Sequence, residues 1–361
     1  MSVHLLGLGT ATPPHVLHTQ HAAQISRRLA PADVSPRAVD ALHQRSGVLR
    51  RAVVALDAQG AMPLYDAPGP PPTTAQRLER YTHEATLLAL DAGQRALAHA
   101  QLQPGAVTHL VTASCTGMEA PGFDLQLIER LPLPAHVRRT HVGFMGCHAA
   151  INALAVAHAF ARADAHARVL VVCAELCSLH MHHSGRADQL VANALFADGA
   201  AAALLGQDSQ APASPEAHAP RVLGTHAIVL SQSAHLMAWR IGDRGFEMTL
   251  DPAVPDVLQR HVPAWIAGAL RTHGLTTADV RHWAIHPGGP RVVRAVAQSL
   301  NLPASACDHS LGVLADHGNM SSATVLFILQ RMLQPGRARG PCVLMAFGPG
   351  LAGEAAVLDL G

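Results

Sequence analysis

Cys147 stands behind a glycine in Gly143-Phe144-Met145-Gly146-Cys147-His148, at the head of an alanine-rich run from Ala149 to Ala161. Apolar residues lie on all sides of that run, which predicts a helix buried inside a domain. A thiol at the N-terminus of such a helix meets free backbone N–H groups and the positive end of the helix dipole. Both favour the nucleophilic thiolate. Gly146 permits the sharp turn that would present the sulfur. Inert packing is the commoner use of a free cysteine. Two further residues have similar settings. His286 follows the apolar strand Trp283-Ala284-Ile285 and precedes Pro287-Gly288-Gly289-Pro290. That is the C-terminal end of a buried strand, where α/β proteins gather their sites. Asn319, in Asp316-His317-Gly318-Asn319-Met320-Ser321-Ser322, opens a helix, and an ordinary cap would use the same residue type.

A second constellation competes with these. Cys173, Cys177, His180, His182 and His183 fall between positions 173 and 183, and Cys and His so close together suggest a zinc or copper site. Cys173 lies within a strand, however, and the spacing lacks the second, distant pair of a structural zinc site. A chain with 25 histidines also forms local clusters by chance.

The elements that must position these residues alternate between strand and helix. Strands are expected at 3–9, 49–55, 109–114, 168–174, 201–205, 281–285, 342–347 and 355–360, and a strand pair or bend at 222–230. Helices are expected at 19–29, 35–45, 81–100, 124–130, 149–161, 255–273, 291–300 and 319–333. The Pro- and Gly-rich stretch 57–74 reads as a long surface loop. Residues 207–220 are polar, Ala- and Pro-rich and without periodicity, and mark a linker between an N-terminal half (1–206) and a C-terminal half (221–361). The repeated alternation implies an α/β body of two similar units.

The chain has 361 residues, 49% hydrophobic and only 14% charged, enough for a large buried core. Its net charge is +1, from 26 basic and 25 acidic residues, with no basic block. That excludes nucleic acid or an anionic membrane as the main partner. The six cysteines are sparse and no signal peptide is seen, so reduced thiols in a cytoplasm are expected. No apolar run reaches the roughly 20 residues of a membrane span.

Five motifs taken together resemble one family. Gly146-Cys147, Leu195-Phe196-Ala197-Asp198-Gly199, His286 to Pro290, Gly318-Asn319-Met320-Ser321-Ser322 and Phe347-Gly348-Pro349-Gly350 occur in the order and spacing of the type III, chalcone synthase-like polyketide synthases. The resemblance runs from about Gly7 to the C-terminus. It implies a thiolase-like, five-layered α-β-α-β-α sandwich of two related halves, a homodimer, and a Cys147–His286–Asn319 triad. It also implies an acyl-CoA starter held as a Cys147 thioester and extended by decarboxylation of malonyl-CoA, followed by cyclisation to a pyrone, resorcinol or phloroglucinol-type product. No bound cofactor is implied, coenzyme A being a substrate carrier. Phe196 matches the residue guarding the entrance, and Gly289 and Pro290 belong to the substrate site. Arg45 aligns best with a basic residue for coenzyme A, with Arg50 and Arg51 as neighbouring candidates.

The departures bear on substrate choice. Cys115 and Thr116 fall where chalcone synthase has two small hydroxyl residues. Cys177 and His180 match two cavity threonines, giving the Cys/His cluster a milder meaning. Met248 stands where plant enzymes carry a second gatekeeping phenylalanine, and Ala120 replaces a methionine that reaches across the dimer. Two rivals remain. A β-ketoacyl-acyl-carrier-protein synthase III shares the triad and fold, but carries His-Gln-Ala-Asn where this chain has His286-Pro287-Gly288-Gly289. A thiolase-shaped metal-binding protein rests only on the Cys/His cluster.

Overall fold

The structure, a computed structural model, describes residues 2–207, 219–334 and 338–361. Its main sheet contains β1 (Val3–Ala11), β2 (His109–Ser114), β3 (Arg138–Gly143), β4 (Val169–Leu176), β5 (Asp198–Gln207), β6 (Arg221–Val229), β9 (His282–Ile285), β10 (Pro341–Gly348) and β11 (Ala352–Asp359). A separate hairpin pairs β7 (Met237–Gly242) with β8 (Gly245–Leu250). The nine strands run in the order β9-β10-β11-β6-β1-β5-β4-β2-β3.

One pattern occurs twice. β1 pairs antiparallel with β5, β5 antiparallel with β4, and β4 parallel with β2. Correspondingly, β6 pairs antiparallel with β11, β11 antiparallel with β10, and β10 parallel with β9. The two half-sheets meet at Val3↔Val222 and His4↔Arg221. Of the expected linker, residues 208–218 lie outside the described residues. Pro220 accepts a hydrogen bond from the Leu5 backbone at 2.8 Å.

The layers follow from strand alternation. On β4, Val169, Val171 and Cys173 face a central core that contains α2 (Ala149–Ala163) and α6 (Thr324–Met332). Leu170, Val172, Ala174 and Leu176 face outward onto α1 (Thr74–His99). On the other half-sheet, Cys342 and Leu344 point to the centre, while Val343 and Met345 meet α4 (Val254–Arg271) and α5 (Pro290–Ser299). Outer helix, sheet, central helices, sheet and outer helices make the five layers. Small residues set their spacing. A Cβ on Gly7 would stand 2.2 Å from the Ala96 carbonyl oxygen of α1, and one on Gly9 2.4 Å from that of Ala92.

Some local expectations are corrected. α1 begins at Thr74, seven residues before Tyr81, because Thr73 and Gln76 form a reciprocal capping box directly after the Pro-rich run. The strand expected at 49–55 is confined to Arg50–Ala52. The β7–β8 hairpin was not anticipated, although Gly242-Asp243-Arg244-Gly245 between alternating segments carries its signal.

Candidate active site

Cys147 occupies a single 3-10 turn, Gly146–His148, immediately ahead of α2. Gly146 has φ +76°, and a Cβ there would lie 2.5 Å from Pro349 Cδ, so only glycine fits the turn. The Cys147 sulfur is 3.7 Å from Ser321 Oγ. His286 follows β9, and its backbone N–H donates to the Met345 carbonyl of β10 at 2.8 Å. Its side chain is 1% exposed, and neither ring nitrogen has a partner among the described residues.

Burial acts on both groups. Burial pushes the Cys147 thiol up to about 12, although Ser321 and Asn319 pull it down. Burial, aided by His148, pushes His286 down to about 3. Burial thus disfavours both the thiolate of Cys147 and the imidazolium of His286. Desolvation penalises both charged forms and outweighs the pull of the helix end.

Asn319 lies ahead of its helix and does not cap it. Its backbone N–H donates to the Leu195 carbonyl, and its carbonyl accepts from the Ala197 N–H, both at 2.9 Å. Its Oδ1 accepts from the Ser321 N–H at 2.9 Å, and α6 starts only at Thr324. The bridge between Phe196 and Asn319 ties the residue after helix α3 (Ala187–Leu195) to the segment carrying Asn319. Gly318, at φ +72°, is needed because a Cβ would meet the Ala197 methyl at 2.8 Å.

Glu175, fully buried on β4, was missed by sequence reasoning. A lone carboxylate inside an apolar strand was the available signal. Oε2 accepts from Thr116 Oγ1 at 2.7 Å and from the Cys115 N–H at 3.1 Å. Oε1 accepts from Ser322 Oγ at 2.5 Å. The Cys115 sulfur is 3.1 Å from Ser321 Oγ, which places it one hydroxyl away from Cys147. Thr116 turns its hydroxyl to Glu175 and to the Leu176 N–H, so it braces the wall and does not offer that group to substrate.

Cys177, His180, Phe196 and Trp239 line a cavity of about 10 Å³, room for at most one water. His180 stacks on Phe246 with ring centroids 4.2 Å apart. Its Nδ1 accepts from the Phe246 N–H at 3.0 Å, so its Nε2 carries the proton and donates to the Thr116 carbonyl at 2.6 Å. Burial lowers its pKa to about 3. Met248 is buried on β8, and its carbonyl accepts from the Gln189 amide. Its cross-strand neighbour Trp239 takes the wall position, with Nε1 donating to the Cys115 carbonyl at 2.7 Å.

The Cys/His cluster does not converge. Cys173 faces the central core, His180 has both nitrogens engaged, and His182 Nε2 is 2.9 Å from the Phe246 carbonyl. Among the described residues there is no group of three or more His, Cys, Asp or Glu that could hold a metal ion.

Arg45, Gly289 and Pro290 line a groove of about 690 Å³ together with Arg186 and Arg291. Arg51 is corrected: it is 2% exposed and donates to the Phe196 and Asn193 carbonyls, both at 2.6 Å. It holds the segment carrying Phe196. Arg50 is exposed and paired with Asp316.

Residues 2–209 match the N-terminal domain of chalcone and stilbene synthases, and residues 223–360 match the C-terminal domain. The chain is 32% identical to the alpha-pyrone synthesis polyketide synthase-like Pks18 of Mycobacterium tuberculosis, across 98% of this chain and 90% of that protein. It is 37% identical to the 1,3,6,8-tetrahydroxynaphthalene synthase of Streptomyces peucetius, across 75% of this chain and 72% of that one. Among solved structures, the C-terminal type III polyketide synthase domain of Steely1 from Dictyostelium superposes with a TM-score of 0.91 at 26% identity, covering 99% of both chains. This chain belongs to the chalcone and stilbene synthase family, the type III polyketide synthases.

Proposed function

We propose that Cys147 carries the growing chain as a thioester, with His286 and Asn319 as its partners in proton transfer and oxyanion stabilisation. The observation that carries this reading is the half-buried Cys147 sulfur, which Ser321 Oγ hydrogen-bonds at 3.7 Å. His286, at the end of β9, brings two buried ring nitrogens without partners. In the first step His286 takes the thiol proton as the sulfur attacks an acyl-CoA thioester. The proton then leaves with the coenzyme A thiol, and an acyl-cysteine remains. Malonyl-CoA next loses carbon dioxide, and the electron pair becomes an enolate with its charge on the thioester oxygen. N–H groups of His286 and Asn319 stabilise that oxygen. The enolate carbon attacks the acyl-cysteine carbonyl, Cys147 is released, and the lengthened chain sits on coenzyme A. Repetition and cyclisation yield a pyrone, resorcinol or phloroglucinol-type product.

Arg45, Arg186 and Arg291 supply positive charge for the coenzyme A phosphates along the groove. The cramped wall of His180, Phe196 and Trp239 favours a small starter. No bound cofactor takes part in this scheme. The exposed Met118, in a groove of about 540 Å³ with Phe123 and Phe144, supports a homodimer. Six free cysteines support a reducing cytoplasm, and no described helix is long and apolar enough to cross a membrane.

The test is mass spectrometry of products from malonyl-CoA and a panel of acyl-CoA starters. Malonyl-CoA consumption with release of a cyclised product is expected. Extension of malonyl-carrier protein with no consumption of malonyl-CoA would overturn the reading.

A further inference from the structure

Arg77 lies in the first turn of α1 and is 1% exposed. Its hydrogen-bond partners among the described residues are neutral groups. Nε donates to the Pro72 carbonyl at 3.2 Å. Nη1 donates to Tyr65 Oη at 2.9 Å, to the Met181 carbonyl at 3.1 Å and to the Leu179 carbonyl. A buried cation met by neutral groups costs more than an apolar side chain of the same size, unless its hydrogen bonds do something an apolar chain cannot. Here they grip the backbone on both sides of His180.

Tyr65 is the second member of that grip. It is buried in the short helix Pro63–Asp66. Its Oη donates to the Ser178 carbonyl at 2.7 Å and accepts from the Met181 N–H at 3.0 Å. With the Arg77 bond, its one proton and both lone pairs are used. Burial pushes its pKa up to about 12, so the phenol keeps that proton. Asp198 holds the other end of the 3-10 turn Cys177–His180. Its Oδ1 accepts from the Ser178 N–H at 2.7 Å, and its Oδ2 accepts from the Ser178 hydroxyl at 2.5 Å.

The same turn of α1 holds the facing wall. Thr74 Oγ1 accepts from the Gly245 N–H at 2.8 Å and donates to the Gly242 carbonyl. A Cβ on Gly245 would lie 3.0 Å from Arg77 Nε. Gly242 and Gly245 close the β7–β8 hairpin, which carries Trp239 and Phe246. Phe246 in turn stacks on His180. The first turn of α1 therefore sets how closely the His180 turn and the hairpin approach, and the cavity lined by His180 and Trp239 is only about 10 Å³.

We propose that Arg77 is a positioning residue for starter choice: its buried guanidinium, with Tyr65, fixes the backbone on both sides of His180 and keeps the wall of His180, Phe196 and Trp239 too rigid to admit long acyl chains. The inference rests on the reading of that wall as the limit on the starter.

The test is the rate at which acetyl-CoA and octanoyl-CoA acylate Cys147, read by mass spectrometry of the intact protein with malonyl-CoA omitted. Arg77→Met keeps much of the side-chain volume and removes the donors. It should raise the octanoyl-to-acetyl rate ratio by about tenfold. Arg77→Lys, which keeps a charged donor, should return part of the way to the original ratio. Tyr65→Phe removes the hydroxyl from Ser178 and Met181 and should move the ratio in the same direction, which keeps the test open if Arg77→Met does not fold. A role in stability alone would lower both rates together and leave their ratio unchanged. If Trp239→Ala raises the ratio but Arg77→Met and Tyr65→Phe do not, the grip is overturned and the wall stands. If Trp239→Ala leaves the ratio unchanged, or neither thioester acylates Cys147 in any variant, both fall.

Discussion

Ser322 Oγ donates a 2.5 Å hydrogen bond to Glu175 Oε1, joining the segment that carries Asn319 to the strand behind Cys115. The two residues come from different halves of the chain and are both fully buried. The opposite carboxyl oxygen takes Thr116 Oγ1 and the Cys115 N–H. A carboxyl at this depth is tolerable only because donors from both halves surround it.

Replacing that carboxyl should therefore weaken the joint. Glu175→Gln turns an amide N–H₂ toward one of the donors and leaves it unsatisfied. A loss on the order of 2–3 kcal/mol is expected, read as a lower urea midpoint at unchanged slope. An unchanged midpoint would show that the donors do not depend on this carboxyl.

Cys147→Ala should abolish chain extension, by on the order of 10⁴-fold or more, without altering the far-UV spectrum. Retained product formation would remove the nucleophile assignment.

Trp239→Ala should open the wall beside Cys177 and His180. The longest starter used efficiently should increase by several carbons, as measured by kcat/KM across straight-chain acyl-CoA thioesters. An unaltered length profile would place the limit elsewhere.

The two arginines should behave differently. Arg45→Ala should raise KM for malonyl-CoA with kcat little changed, an effect reduced by salt. Arg51→Ala strips donors from the buried Phe196 and Asn193 carbonyls and should cost about 3 kcal/mol of stability. Equal effects of both variants on KM alone would return Arg51 to the coenzyme A site.

Acid should destabilise the fold. His43, His180 and His286 are each pushed to about 3 by burial, below the ordinary value of 6.5. Between these values the unfolded chain binds more protons than the native one, so stability falls as pH falls from about 6.5. Asp198, raised to about 6 by burial, works the other way between about 4 and 6 and cancels about one of the three. From these four groups the slope should be about 3 kcal/mol per pH unit near pH 5. Urea titrations from pH 7.5 to 5 check this, and His180→Phe should flatten the slope.

Much of this architecture is legible along the chain, because it is written in local periodicity. Apolar strands, the all-round apolar helix after Cys147 and the glycine-flanked motifs are short-range patterns, and they identify the family and the residue types of its triad. Gly146 and Gly318 could also be read as turns, since each is required by its own φ. Depth could not be read in this way. Arg51 and Glu175 look like any charged residues, and only the packing of the two half-sheets shows that one holds Phe196 and the other ties Cys115 to Ser322. The same holds for protonation. The position of Cys147 before a helix argues for a thiolate, whereas its burial in the folded protein pushes the thiol pKa up, an effect no sequence pattern carries. Residue type and spacing depend on neighbours in sequence, whereas ionisation and partner choice depend on everything within a few ångströms, which is decided only when the halves close on each other.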